Sequence, residues 1–372
     1  MSESRVIFNR PLVGETRVVP SKSVSHRALI CAFLADGESK LQNLGECDDV
    51  EATRRCLAAL RNREPMDAGE SATTMRLLLP LSLLYGGGRF LMRGSLINRP
   101  LEPYAESLDV KLYRNGDEIL VSGCLEPGEY RIRGDVSSQF ISGLLFALPL
   151  LHGDSALHVT GELQSRPYVE LTCMVMERFG VYVKVAGDGF LIPGKQSYRS
   201  ADFTVEGDWT YAANFLAANA LGGNVRLSGL DMDSLQGDRQ VLSAFGKDEI
   251  DVSDMPDTFP ALAVYACSKR GPTLITGGHR LRYKECDRLN AMAVELHNLG
   301  ADMEERHDSL LVRGTGRLRG GKADAHGDHR VAMALSIAAA ICESPVELYG
   351  GESVKKSAPA FFEALKALGG TD

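Results

Sequence analysis

No C-x-x-C pair occurs in this chain, although it holds eight cysteines. They are spread singly through 372 residues, which excludes the dense, short frameworks that disulfides or structural zinc hold together. Free thiols in a reducing compartment are expected. Long apolar runs are also missing. The longest, around Leu77–Tyr85 and Leu144–Leu151, are too short to span a bilayer. The first residues, Met1 to Gly14, lack the basic start and apolar stretch of a signal peptide, so a cytoplasmic protein is expected. A net basic charge is missing: 41 lysines and arginines stand against 49 acids, a net charge of −8, and they are scattered among those acids. That excludes a nucleic-acid surface but leaves room for a local basic site for a small anion. What is present, 44% hydrophobic and 24% charged residues, is the composition of a globular protein, and the length suits two domains.

One unit recurs six times. A small-residue helix follows a Ser/Thr-rich or charged start, then come a glycine turn, a short strand and a second polar segment. The copies begin at Lys22, Ser71, Ser137, Thr210, Phe259 and Arg330. Each helix is apolar nearly all round, which predicts burial. The strands alternate, as in Asn224-Val225-Arg226-Leu227-Ser228, which suits a sheet wetted on one face. Striped helices are predicted over Tyr168–Gly180, Arg288–Gly300 and Ala360–Gly369. The expected fold is α/β (α+β): two similar lobes, each of three βαβαββ repeats, with buried helices and outer sheets. The first and fourth intervals between copies are short, so two repeats are shortened, around Leu60–Asp67 and Phe245–Ile250.

Several helix starts suit anion capture, because free N–H groups and hydroxyls point outward there. Ser21-Lys22-Ser23, Ser71-Ala72-Thr73-Thr74 and Ser137-Ser138-Gln139 are the three. Singly, each is read as an N-cap. Together, with Lys22, Arg27, Arg76 and Arg99 near in sequence, they leave capping and anion capture both open. In Arg280–Arg288, RLRYKECDR, a helix would put Lys284 and Arg288 on one face beside Glu285, and a solvated charged face is the default reading. His326-Gly-Asp-His329-Arg330 has poor zinc spacing and an arginine where a cation would sit, so no metal is expected. Asp257 precedes a buried helix, and from the residues alone it is read as a cap.

SKSVSHRAL, RPLEP, SSQF, SRPYVELT, VEGDW, QGDR, MPD, RYKECDR and DHRVAMA stand here in the order found in the 5-enolpyruvylshikimate-3-phosphate (EPSP) synthases. The chain resembles that family from about Pro20 to Pro359. The resemblance implies an inside-out α/β barrel type of lobe, residues 1–20 plus 206–372 forming one and 21–205 the other, with the active site in the interlobe cleft. It implies transfer of the enolpyruvyl group of phosphoenolpyruvate to the 5-hydroxyl of shikimate 3-phosphate, through a tetrahedral intermediate that expels phosphate. No cofactor is implied, and a monomer without nucleic-acid or membrane partners is expected.

Carried over by position, the resemblance gives shikimate 3-phosphate to Lys22, Ser23, Arg27, Ser137, Ser138, Gln139, Ser165, Tyr168, Asp257 and Lys284. Phosphoenolpyruvate falls to Lys22, Ala72, Arg99, Gln139, Arg288, Arg330 and Lys356, with Arg76 organising the pocket. Asp257 would act on the 5-hydroxyl, and Glu285 with Lys356 or Lys22 on the methylene proton. Such chemistry needs two separate acid/base groups, and planar arginine forks suit a phosphate and a carboxylate.

Two departures stand out. Where many members have Gly-Asn-Ala-Gly-Thr, this chain has Gly69-Glu70-Ser71-Ala72-Thr73. Glu70 calls for a cationic partner, Arg76 or Arg27, and the Ala72 methyl should crowd the inhibitor glyphosate more than the substrate. The shortened repeats should leave each lobe with a thinner sheet. Two rival readings follow: a transferase for UDP-N-acetylglucosamine, which needs a mobile-loop cysteine not found here, and a shikimate 3-phosphate-binding remnant that has lost catalysis.

Overall fold

A computed structural model describes residues 4–372. The chain divides into two compact units, Met1–Val19 with Gly207–Asp372, and Pro20–Glu206.

In Pro20–Glu206 the helices are α1 (Lys22–Leu34), α2 (Asp48–Asn62), α3 (Ala72–Leu83), α4 (Glu102–Ser107), α5 (Ser138–Ala147) and α6 (Arg166–Arg178). Helices α3 and α5 are buried along almost their whole length, because beyond their polar starts, which carry Arg76 and Gln139, they are apolar nearly all round. Helices α2 and α6 are striped and bury one side. Two four-stranded sheets share one order. In the first, Met66–Gly69 runs parallel to Gly87–Met92, followed by antiparallel Glu118–Gly123 and Val110–Asn115. In the second, Glu129–Arg133, Ser155–Thr160, Gly189–Ile192 and Lys184–Ala186 repeat that pattern. The third sheet stops at one parallel pair, Lys40–Gln42 with Asp202–Thr204.

The other unit holds α7 (Trp209–Ala220), α8 (Val241–Ala244), α9 (Phe259–Ser268), α10 (Arg288–Asn298), α11 (His329–Ala338) and α12 (Phe361–Ala367). Helices α7, α9 and α11 are the buried ones. A four-stranded sheet joins Glu249–Asp251, Arg270–Thr276, Leu310–Thr315 and Asp302–Glu305 in the same pattern as above. Gly321–Asp324 pairs in parallel with Val346–Tyr349, which the N-terminal strand Arg5–Ile7 joins antiparallel. Val13–Arg17 and Asn224–Ser228 form a lone parallel pair. Each lone pair holds the strand that precedes a short connection: Lys40–Gln42 comes before α2, which only three residues separate from Met66, and Asn224–Ser228 comes before α8, which four separate from Glu249, so neither stretch has room for the antiparallel hairpin that completes the four-stranded sheets.

Candidate functional site

Helix starts build most of the chemistry in Pro20–Glu206. Ser21 N-caps α1 by accepting from Val24 N, Ser71 caps α3 through Thr74 N, and Ser137 caps α5 through Gln139 N. Lys22, the first residue of α1, sends Nζ to Asp49 Oδ2 at 2.7 Å. One turn on, Arg27 is only 2% exposed. Its Nε donates to Thr172 Oγ1 at 2.8 Å, Nη1 to Ser23 O at 2.8 Å and Nη2 to Tyr168 O at 3.0 Å. Burial lowers its pKa to about 10, with Tyr168 opposing. Ser165 precedes α6 in a left-handed conformation, φ 54°. This geometry brings Ser23, Arg27, Ser165 and Tyr168 to neighbouring ends of α1 and α6.

A second group joins α3 to α5. Arg76 Nη1 donates to Gln139 Oε1 at 3.1 Å, and Gln139 Nε2 donates to Thr73 Oγ1 at 2.8 Å. Ala72, the first residue of α3, is 4% exposed. Ser138 is buried at the start of α5, and Arg99, 9% exposed, follows the 3-10 turn Gly94–Asn98. Glu70 is exposed, and its carboxylate lies over Gly94, where an added Cβ would meet Oε1 at 2.4 Å.

In the other unit the charged run is not the solvated helical face its spacing suggests. A 3-10 turn covers His279–Tyr283, Lys284 is extended, and α10 begins only at Arg288, capped by Asp287 through Asn290 N. Asp287 competes for the backbone there, and its cap restarts the chain as a new helix. Arg282 pins the turn, donating to Asp287 and Glu305 carboxylates at 2.8 Å each. Asp257 is no cap either. It sits in the 3-10 turn Pro256–Thr258, and its carboxylate instead receives Lys284 Nζ at 3.0 Å and Arg288 Nη1 at 2.8 Å.

Arg288 is the hub. Nη1 reaches Asp257, Nη2 reaches Glu285 Oε2 at 3.0 Å, and Nε reaches Asp328 Oδ2 at 2.9 Å. Arg330 Nη2 lies 3.8 Å from Asp257 Oδ2, and Lys356 Nζ lies 3.6 Å from Glu285 Oε1. Two carboxylate–lysine pairs, Asp257 with Lys284 and Glu285 with Lys356, are thus bridged by one buried guanidinium. Burial alone would raise the Asp257 pKa, but Lys284, Arg288 and Arg330 hold it well below the usual carboxylate range. Burial lowers that of Lys284, with Asp257 opposing. Such a cluster can offer a base already ionised at neutral pH and two lysines as acids.

Asp49 and Asp328 carry no signal in the sequence that marks them as partners of Lys22 and Arg288. Both pair over long separations, 27 and 40 residues, which no local pattern announces. His326, from the rejected metal motif, pairs with Glu295 at 2.8 Å. Among the described residues no group of three or more metal-ligating side chains occurs.

The chain matches a family model described as EPSP synthase (3-phosphoshikimate 1-carboxyvinyltransferase) over residues 8–65, 61–248 and 244–365. A protein of Clostridium botulinum (strain Alaska E43 / Type E3) named 3-phosphoshikimate 1-carboxyvinyltransferase is 39% identical over 419 residues, covering 98% of this chain and 97% of its own. One of the same name from Clostridioides difficile (strain 630) is 39% identical over 423 residues, with the same coverage. A solved EPSP synthase from Acinetobacter baumannii has the same fold, with a TM-score of 0.80 at 24% identity over 99% of this chain and 98% of its own. Both alignments are longer than the chain itself, so those relatives carry positions that it lacks. The three matched segments overlap at 61–65 and 244–248, where α2 and α8 give way to the next strand.

Proposed function

The chain belongs to the EPSP synthase family, and from that premise we propose that it transfers the enolpyruvyl group of phosphoenolpyruvate to the 5-hydroxyl of shikimate 3-phosphate, releasing phosphate in the shikimate pathway. The observation that carries the site assignment is the bridging of two carboxylate–lysine pairs by Arg288. The reaction needs a base for the 5-hydroxyl as its oxygen attacks C2 of phosphoenolpyruvate, and a separate acid for the methylene. Asp257, ionised and next to Lys284, fits the first role. Lys356 beside Glu285 fits the second, with Lys22 as a further donor. Arg288 and Arg330 then face the phosphate and carboxylate of phosphoenolpyruvate, stabilising the charge on the tetrahedral intermediate and the departing phosphate.

The groups in Pro20–Glu206 complete the assignment. Lys22, Ser23, Arg27, Ser137, Ser138, Gln139, Ser165 and Tyr168 hold shikimate 3-phosphate, with Asp257 and Lys284. Ala72, Arg99 and Gln139 serve phosphoenolpyruvate, with Lys22 and with Arg76 organising the pocket. Arg27 makes three hydrogen bonds within the protein, so its part in binding is to present Ser23 and Tyr168 as much as its own charge. Supporting an inside-out repeat architecture, three sheets share the order parallel, antiparallel, antiparallel. No helix among the described residues is long and apolar enough to cross a membrane. We read the protein as a cytoplasmic monomer.

The test is phosphate release by purified protein given both substrates and then each alone. Release that requires both, and that is lost in Asp257→Ala, is the expected result. Folded protein that binds shikimate 3-phosphate but releases no phosphate would make it a binding remnant. Release with UDP-N-acetylglucosamine in place of shikimate 3-phosphate would reassign the acceptor.

A further inference from the structure

Helix α3 carries a proline in its interior, Pro80. A proline has no N–H, so the carbonyl four residues back, that of Arg76, loses its helical donor. The Oη of Tyr104 lies 2.6 Å from that carbonyl oxygen and 3.1 Å from the carbonyl oxygen of Phe140 in α5. Tyr104 comes from α4, is fully buried, and packs edge-on against Phe140 with ring centroids 4.8 Å apart. Gly143 makes room for this arrangement. A Cβ there would meet Tyr104 Oη at 2.3 Å, Arg76 O at 2.5 Å and Pro80 Cγ at 3.2 Å.

The two backbone acceptors belong to residues that bear on the candidate pocket. Arg76 donates through its side chain to Gln139, and Phe140 follows Gln139 in the chain. The Arg76 guanidinium also lies 4.8 Å from the centre of the Phe140 ring. We propose that Tyr104 is a positioning residue: its hydroxyl supplies the donor that Pro80 removes, and so holds Arg76 of α3 in register with Gln139 of α5 for phosphoenolpyruvate. Without that donor a buried carbonyl is left unpaired at a proline, where helices bend. A small bend at Arg76 displaces its fork from Gln139 and from the Pro100 carbonyl, which accepts from Nη2 at 3.3 Å, and single hydrogen bonds of this length tolerate little displacement. Burial pushes the phenol well above its ordinary pKa against the pull of Arg76, so the donor persists at any working pH.

The inference rests on assigning Arg76 and Gln139 to the phosphoenolpyruvate pocket, and its test separates the two ideas. Initial rates of phosphate release are measured for the native protein, Tyr104→Phe, Tyr104→Phe with Pro80→Ala, and Gln139→Ala. Tyr104→Phe should raise the KM for phosphoenolpyruvate about three- to tenfold, the worth of one buried hydrogen bond, leave kcat within about twofold, and raise the KM for shikimate 3-phosphate, which Gln139 serves without Arg76, by clearly less. Pro80→Ala returns an N–H to the Arg76 carbonyl, so the double variant should recover the native KM. Recovery of folding and KM together, should Tyr104→Phe alone fail to fold, supports the proposal equally. An unchanged KM in Tyr104→Phe while Gln139→Ala raises it would overturn the proposal and spare the pocket. A loss spread equally over both substrates, or a double variant with no recovery, would also overturn it. An unchanged KM in Gln139→Ala would remove the pocket assignment and the proposal with it.

Discussion

Arg288 Nε and Asp328 Oδ2 lie 2.9 Å apart, with both side chains closed to solvent, 1% and 0% exposed. Asp328 also reaches Nη2 with Oδ1 at 3.3 Å and accepts from Arg330 N at 2.8 Å as the cap of α11. One carboxylate therefore fixes the orientation of the hub guanidinium and the start of the helix that bears Arg330. Asp257 takes one N–H of Nη1 and Glu285 one of Nη2, so four of the five N–H groups of Arg288 are fixed within the protein and the second N–H of Nη1 is left to meet a substrate.

Asp328→Asn keeps the shape and removes the charge. Stranding a buried ion typically costs about 3–5 kcal/mol, but Asp257 and Glu285 still neutralise Arg288, so about 2 kcal/mol is expected. Urea unfolding of the two proteins, compared at equal slope, measures it. A difference below about 0.5 kcal/mol would mean that Asp257 and Glu285 alone hold the guanidinium.

A pH series probes Asp257. Its pKa is depressed in the folded protein, where burial is outweighed by Lys284, Arg288 and Arg330. A depressed carboxylate pKa contributes stability above the unfolded value, and that contribution is lost as pH falls through the folded pKa. The stability difference between the native protein and Asp257→Asn should therefore be flat from pH 7 to 5, and shrink only below the ordinary value of 3.8. A difference that already declines between pH 7 and 5 would show a carboxylate with a raised pKa instead.

What the sequence discloses here follows the range of the interaction. Helices α7, α9 and α11 are legible because alanines and large apolar residues occupy every face, which leaves burial as the only outcome. Asn224–Ser228 is legible from its alternation. The stretch from Lys284 to Arg288 misleads, because helical spacing of the charges hides Asp287, whose cap starts α10 one residue later. Asp257 misleads for a different reason. Its carboxylate has cations 27 and 31 residues ahead to choose over the nearby backbone, and only the folded chain brings them within reach.

Ala72 offers a test by inhibitor. As the first, nearly closed residue of α3 it leaves its methyl little freedom to move aside. Overpacking of this kind costs about 1–3 kcal/mol, so glyphosate, bulkier than phosphoenolpyruvate, should bind roughly ten- to a hundredfold more weakly than to Ala72→Gly. Inhibition constants against phosphoenolpyruvate in the two proteins decide it. A low micromolar constant that is the same in both would rule out crowding by this methyl.

The shortened stretches should be the least protected parts of the sheets. Among the described residues, Lys40–Gln42 with Asp202–Thr204, and Val13–Arg17 with Asn224–Ser228, are pairs in which each strand keeps one edge without a neighbouring strand. By contrast, Gly87–Met92 and Arg270–Thr276 are flanked on both sides within four-stranded sheets. Opening a lone pair breaks one ladder and exposes few apolar groups, since most of its side chains are already exposed or half-buried. Opening a central strand breaks two ladders and uncovers buried residues such as Phe90 and Ile275. Amide hydrogen exchange should therefore be at least on the order of tenfold faster in the lone pairs than in the two central strands. Because the pairs lie in different units, both should show it independently. Equal protection would mean that each lone pair opens only with its whole unit, so that its small sheet is no local weak point.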